Sequence, residues 1–239
     1  MQVQRLSIII PCYNEEATVS ETLRRLLAVD IGKVEKDIVV VDDGSRDRSI
    51  EIVEEIRKQY PQTIRLFVQP KNKGKGAAVW RGLSETRGEL VVIQDADLEY
   101  HPEDFRQMLT LFALPQVDVV FGSRRMLPGN PVSGIAEYIG AQVINAFTNL
   151  LYRAQITDQF TCYKMFRKEL IPQLKMHSER FEFDAELTAK LLRLGQRVQE
   201  VPIRYFPRSR AEGKKIRWLD GLIWLWQIIK HRFTRREAW

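Results

Sequence analysis

Five short apolar runs, at 6–10, 37–41, 64–68, 90–94 and 117–121, recur through the first half of the chain, with segments of helical character between them. Each reads as a strand, and the runs at 6–10 and 90–94, apolar nearly throughout, read as buried ones. The intervening segments predict helices from Glu15 to about Ala28, from beyond Arg48 to near Tyr60, from Gly74 to Thr86 and from Pro102 to Leu111. Asn14 is placed to N-cap the first helix, with Glu15 and Glu16 at its positive end, and Pro102 suits a first helical turn. This strand–helix rhythm predicts an α/β fold: a mainly parallel sheet flanked by helices on both faces.

The second half changes character. It predicts a long helix over 135–152, a short strand at 163–166, a helix over 183–194 closed by Gly195, and a strand at 198–203. No repeat or low-complexity linker interrupts it, and the first break in pattern falls near Pro207. The expected organisation is therefore a catalytic domain over 1–206 followed by a basic loop and amphipathic helix over 207–239. At 239 residues and 44% hydrophobic content the chain can build one large core. Its two cysteines, Cys12 and Cys162, lie far apart and argue for a reducing compartment without a metal–thiolate site. No signal-peptide pattern precedes the first strand, and no apolar run approaches the roughly 20 residues of a membrane span. The expected location is cytoplasmic.

Polar clusters stand at three of the strand ends. Pro11-Cys-Tyr-Asn-Glu15 follows the first strand, Asp42-Asp43-Gly44-Ser45 the second and Asp95-Ala96-Asp97 the fourth. Each alone is compatible with a turn, where Asp and Gly are common. In parallel sheets, however, ligands bind beyond the carboxyl ends of the strands, and three such ends agree. Paired carboxylates repel unless a cation lies between them, and hard cations such as Mg²⁺ or Mn²⁺ take oxygen ligands and bridge to phosphates. The glycine-rich stretch Asn72-Lys-Gly-Lys-Gly-Ala-Ala78 is neither a P-loop nor a dinucleotide fingerprint, which argues against a nicotinamide cofactor. It is either a turn opening a helix or a nucleotide contact through Lys75.

The ordered series IPCYNEE, VVDDGSRD, NKGKGAA, IQDADLE, FGSR, TDQFTCYKMF and RSRAEGKK resembles the family 2 glycosyltransferases, and within them the polyprenyl-phosphate sugar synthases. The resemblance implies a GT-A fold, a nucleotide-sugar donor, a divalent cation (Mg²⁺ or Mn²⁺) and inversion at the anomeric carbon. By the same resemblance Pro11, Tyr13 and Glu15 match a donor-binding motif, and Asp43 matches the residue that contacts the nucleoside. Asp95 and Asp97 match the nucleotide-sugar and metal carboxylates, with Glu99 completing the metal shell. Arg124 matches a basic residue near the transferred group, and Arg208 and Lys214 match cations on a mobile loop over the donor. Val41, Lys75 and Ala96 complete the implied donor set.

The acceptor is less legible. Polyprenyl phosphate is already anionic at neutral pH, its second pKa being about 6, and needs no general base, whereas a hydroxyl acceptor does. Where the resembled synthases often hold the acceptor phosphate with Arg and Ser, this chain has Gly134 and Tyr138; Arg124, Arg125 and Arg153 are the available substitutes. Glu182 and Asp184 stand near the place of a base in hydroxyl-using relatives, or simply favour a helix N-terminus.

The tail bears on the same question. Of the net charge of +6, the segment from Arg204 onward carries ten Lys or Arg against three Asp or Glu. Trp218, Leu219, Leu222, Ile223, Trp226 and Ile229 fall on one helical face among those cations. This is the pattern of a helix lying in an anionic membrane interface, and also of a terminal helix packed on its domain. No nucleic-acid recognition motif accompanies the basic charge. The expectation is a hexosyltransferase using GDP-mannose or UDP-glucose and a polyprenyl phosphate at the cytosolic membrane face. The alternatives are a hydroxyl-acceptor enzyme of the same family or a non-catalytic subunit of a membrane complex.

Overall fold

The computed structural model describes residues 3–132, 134–208 and 218–235, with backbone alone for 218–220. The elements of the first half are β1 (Arg5–Cys12), α1 (Val19–Ala28), β2 (Glu35–Asp42), α2 (Ser49–Gln59), β3 (Ile64–Val68), α3 (Lys75–Ser84), β4 (Leu90–Ile93), α4 (Phe105–Leu111) and β5 (Val119–Ser123). The second half adds α5 (Ile135–Tyr152), β6 (Lys164–Arg167), α6 (Ile171–Leu174), α7 (Phe183–Arg193), β7 (Val198–Pro202) and α8 (Trp218–Phe233). Short 3₁₀ turns precede α4 and α6.

The seven strands form one sheet in the order β3-β2-β1-β4-β6-β5-β7. Every neighbouring pair is parallel except the two that involve β6, which runs antiparallel to both β4 and β5. Ile8, Ile9, Ile10, Val39, Val40, Val91 and Val92 are all fully buried, which explains their uninterrupted apolar pattern. Helix α3 sits unusually close to the sheet because Gly82 has no side chain: a Cβ there would meet Ile9 Cγ2 at 2.5 Å. That close approach brings the N-terminus of α3 to the carboxyl edge of β1 and β2.

One expected helix start is corrected. α1 begins at Val19, not Glu15, and Asn14 sits at φ 53° instead of capping a helix. The reason is a zipper between two loops. The backbone amides of Asn14, Glu15 and Glu16 donate to Ser45 Oγ, Ser49 Oγ and Asp47 Oδ2 at 3.0, 2.8 and 3.0 Å. Asn14 Oδ1 accepts in return from the Arg46 amide at 2.8 Å. Amides held by another loop have no need of a helix cap, so the first turn is given up to join the β1 and β2 ends.

α8 packs on α5 and α7. Tyr152 Oη donates to the Ile228 carbonyl at 2.7 Å, and Arg193 donates to the His231 carbonyl at 2.9 Å. Ile228 and His231 are buried, while Leu222, Ile223, Trp226 and Phe233 are exposed. The tail helix therefore has one face on the domain and another, apolar, in solvent. Among the described residues no helix is long and apolar enough to cross a membrane.

Candidate active site

The carboxyl ends of β1, β2, β4 and β5 open on one cavity of ≈550 Å³. Pro11, Tyr13, Glu15, Asp43, Lys75, Asp95, Ala96, Asp97, Glu99, Arg124, Asp184 and Arg208 all line it. Residues nearly 200 positions apart in sequence thus meet, as the strand-end argument requires. A larger hollow of ≈960 Å³ lies elsewhere, lined by Arg5, Glu35 and Asp37 among others. It holds none of these groups, and Arg5 and Glu35 there pair with each other at 2.6 Å.

Asp43 builds the glycine-rich loop. Its carboxylate accepts from the Lys73 amide at 2.8 Å, the Gly74 amide at 2.7 Å and Gln69 Nε2 at 3.0 Å. Burial raises its pKa, and those same amides pull the other way. Three of about four acceptor positions are filled, so Asp43 shapes the loop and retains capacity for one further donor at the cavity wall.

Behind the loop runs a chain of alternating charges. Lys75 Nζ lies 2.9 Å from Asp95 and 4.0 Å from Asp184, and Asp184 in turn accepts from Lys164 Nζ at 2.6 Å. Desolvation works against the Lys75 charge, but Asp95 and Asp184 outweigh it and hold the ammonium well above its usual range. Lys164 has no exposed side chain, so Asp184 is its counter-ion. Glu182, the other candidate base, is not among the cavity-lining residues; it accepts from the Arg180 amide at 3.3 Å.

The neighbouring acidic cluster is strained by like charge. The Asp97 carboxyl is pushed up to about 7, first by burial and then by Asp95 and Glu99, with Arg208 acting in opposition. Arg208 reaches in from the segment after β7: its guanidinium lies 2.9 Å from Asp97, 3.3 Å from Glu15 and 4.0 Å from Glu99. Its own amide donates to Glu99 Oε1 at 2.8 Å, and the Phe206 amide donates to the Glu99 carbonyl at 2.9 Å. A Tyr100–Tyr205 bridge ties the same two segments together. Among the described residues no three acidic or imidazole groups close on one point as a metal cage.

Two sequence expectations, Arg124 and Val41, are qualified by this geometry. Arg124 lines the cavity, yet its fork is clamped by Asp158 through bonds of 2.6 and 2.7 Å. Desolvation opposes its charge, but Asp158 prevails and raises its pKa. Val41 is fully buried with Val39 and Ala78 and packs beneath α3, so it supports the start of the glycine-rich helix without lining the cavity. Lys214 lies outside the described residues.

Sequence reading missed the aromatic wall. Phe160 and Trp224 stack with ring centroids 4.5 Å apart, and Trp224 Nε1 donates to the Phe181 carbonyl at 3.0 Å. Both line the cavity, so α8 contributes directly to the site. The missed signal was the position of Trp224, which is absent from the regular apolar face drawn through Trp218, Leu222 and Trp226.

A mostly parallel sheet with crowded carboxylates and paired lysines at its carboxyl edge defines an α/β protein with a polar ligand cavity at that edge. The family model described as "Glycosyl transferase family 2" matches residues 7–174, and the chain belongs to that family. Among curated relatives it is 31% identical over 250 residues to dolichyl-phosphate beta-glucosyltransferase ALG5A of Trichomonas vaginalis, covering 98% of this chain and 75% of that protein. It is 30% identical to dolichol-phosphate mannosyltransferase of Pyrococcus furiosus, covering 88% of this chain but 59% of that one. In fold it resembles the glucosyl-3-phosphoglycerate synthase of Mycobacterium tuberculosis solved with UDP, with TM-score 0.68 at 22% identity, covering 98% of this chain and 81% of that one. The same enzyme solved with Mg²⁺ and UDP gives TM-score 0.68 over 95% of this chain and 78% of that one. The architecture is the GT-A fold.

Proposed function

We propose that this chain moves a hexose, glucose or mannose, from a nucleotide sugar to a polyprenyl phosphate at the cytosolic face of a membrane, with inversion. The observation that carries this reading is the composition of the cavity at the strand ends. Part of its lining is the acidic and lysine-bearing donor edge, and another part is the aromatic pair Phe160 and Trp224, the latter on a helix whose outer face is apolar. The names of the 30–31% identical relatives support a dolichyl-type acceptor.

Inversion requires one displacement. The acceptor phosphate oxygen forms a bond to the anomeric carbon while the bond to the donor's phosphate breaks, and the leaving nucleoside diphosphate takes the electron pair. A phosphate acceptor is already ionised near neutral pH and needs no base. This agrees with Asp184, which is held by Lys164 instead of standing free. The residues present fit a divalent cation. Asp97 and Glu99 offer oxygen ligands from a cluster whose mutual repulsion a cation relieves, and Asp95, already paired with Lys75, is the weaker third. An incomplete protein shell suits Mg²⁺ or Mn²⁺, which keep places for phosphate and water. Bound there, such an ion would stabilise negative charge on the departing diphosphate. Arg208, beside Asp97, is within reach of the same phosphates, and Asp43 and the loop after Asn72 receive the nucleoside.

Membrane attachment is part of the proposal. Leu222, Ile223, Trp226 and Phe233 of α8 and Ile135, Ile139, Val143 and Leu150 of α5 stand in solvent on two helices that pack together. Lys230, Arg232 and Arg235 are exposed at the end of α8 and suit anionic headgroups.

Incubation with labelled UDP-glucose or GDP-mannose, Mn²⁺ and polyprenyl phosphate, followed by organic extraction, tests the reaction. Label in the organic phase is expected, and EDTA should abolish it. Label confined to water-soluble products would replace this reading with a hydroxyl-acceptor enzyme.

A further inference from the structure

Six cationic side chains were candidates to meet an anionic acceptor, and the structure separates them. Lys75 and Arg208 are engaged by Asp95, Asp97 and Glu15 on the donor side. Arg124 is clamped by Asp158. Arg153 ends α5 at φ 56°, roughly 22 Å along the helix from Tyr138, and does not line the cavity. Arg180 lines the cavity but is exposed, with its Cγ against Gly74 of the donor loop.

Arg125 is different. It lines the cavity on the side of α5, remote in the chain from the donor loop. Its guanidinium lies over the Tyr138 ring, 4.4 Å from the centroid. Its Nε is buried without a hydrogen-bond partner, and among the described residues no carboxylate lies at ion-pair distance from it. Its backbone is pinned by the bond from its amide to Ser123 Oγ at 3.2 Å, which sets the side chain's origin on the β5 end. A buried guanidinium N–H without an acceptor is costly, and a tyrosine face satisfies charge without supplying a lone pair. The N-terminus of α5, the other local attraction for an anion, is occupied: the Glu137 carboxylate folds back over Gly134. That leaves the Arg125 fork as the acceptor-side cation.

We propose that Arg125, oriented by the Tyr138 ring, binds the phosphate of the acceptor and holds it opposite the donor diphosphate. The assignment rests on the phosphate-acceptor reading given above. It explains how a chain with Gly134 and Tyr138 at the head of α5 still meets a dianion: the cation comes from the β5 end, and the helix supplies an aromatic platform.

The test is steady-state kinetics of the full chain with a polyprenyl monophosphate in detergent, using whichever of UDP-glucose and GDP-mannose the wild type turns over. Arg125→Gln is expected to raise the acceptor KM at least about tenfold, the scale of a lost charge-assisted bond, with kcat within about threefold and nucleotide affinity unchanged. Arg125→Lys should recover part of the loss, Tyr138→Leu, which removes the ring beneath the guanidinium, should raise the acceptor KM in the same direction, and Arg153→Gln should be silent. Melting curves accompany each variant; if Arg125→Gln fails to fold, the lysine variant carries the comparison, since it keeps charge and loses only the fork. An unchanged acceptor KM in Arg125→Gln, or in its absence Arg125→Lys, overturns the Arg125 assignment while leaving the reaction intact. Absence of lipid-linked product from the wild type overturns the reaction and the assignment together.

Discussion

The Arg208 guanidinium lies 2.9 Å from Asp97, across 111 residues of chain, in the middle of the acidic cluster at the carboxyl ends of β1 and β4. A monovalent side chain thus stands among the carboxylates proposed to hold a divalent ion. The pairing couples the segment after β7 to the chemistry of the β4 end.

Arg208→Gln should therefore lower kcat/KM for the donor by about 10- to 100-fold, as expected for a charge-assisted contact to phosphate. It should also raise the Asp97 pKa further, because Arg208 opposes the rise more than the Glu99 amide does. Donor titrations at pH 7 and pH 8.5 would separate the two effects: the second recovers with pH and the first does not.

Asp97→Asn should change stability in a pH-dependent way. Folding lifts the Asp97 pKa from the ordinary aspartate range to about 7, so the folded chain binds the proton more tightly. Stability due to Asp97 is complete below the unfolded pKa and is lost as pH rises through 7. The asparagine variant escapes that loss. Its Tm should exceed the wild type's at pH 8 and equal it near pH 3.5, while its transferase activity is lost. A Tm difference independent of pH would contradict the assigned shift.

Asp184→Asn leaves Lys164 buried without its closest counter-ion and should cost about 3 kcal/mol of stability. Under the phosphate-acceptor reading, activity per folded molecule should survive. Adding Lys164→Met should restore most of the stability. Denaturant unfolding of the single and double variants measures this, and turnover below the melting range reads the acceptor question independently.

The two sides of α8 should respond differently. Trp226→Glu with Ile223→Glu alters only exposed positions and should leave Tm within a few degrees while reducing co-sedimentation with anionic vesicles. Trp224→Ala removes the Phe160 stack and the bond to Phe181, and should lower turnover of a short-chain acceptor in the absence of any vesicle.

Much of this arrangement was legible in the chain. The strand at 64–68 and the helix at 135–152 coincide with β3 and α5, because a short β-forming run and a long helical segment carry strong local patterns, although β3 is an edge strand in which only Ile64 is buried. The strand-end clusters around Pro11, Asp43 and Asp95 converge for a topological reason that needs no coordinates. What escaped were relationships set by distant partners. The start of α1 moved because Ser45, Asp47 and Ser49 bind its preceding amides. Arg124 and Asp184 have the residue types of catalytic groups, but their buried partners, Asp158 and Lys164, carry no local mark. Nor does a four-residue strand announce which neighbours it will take.

That last strand has a consequence for synthesis. β4 and β5 follow one another in the chain, yet β6 lies between them, so neither finds its inner neighbour until Lys164–Arg167 leaves the ribosome. A nascent chain of 150 residues would carry the whole carboxylate cluster on a sheet with β4 as a raw edge, a surface prone to pairing with other chains. Truncations ending before Lys164 should collect in aggregates, and those ending beyond α6, where the family match also stops, should be the shortest that close this seam.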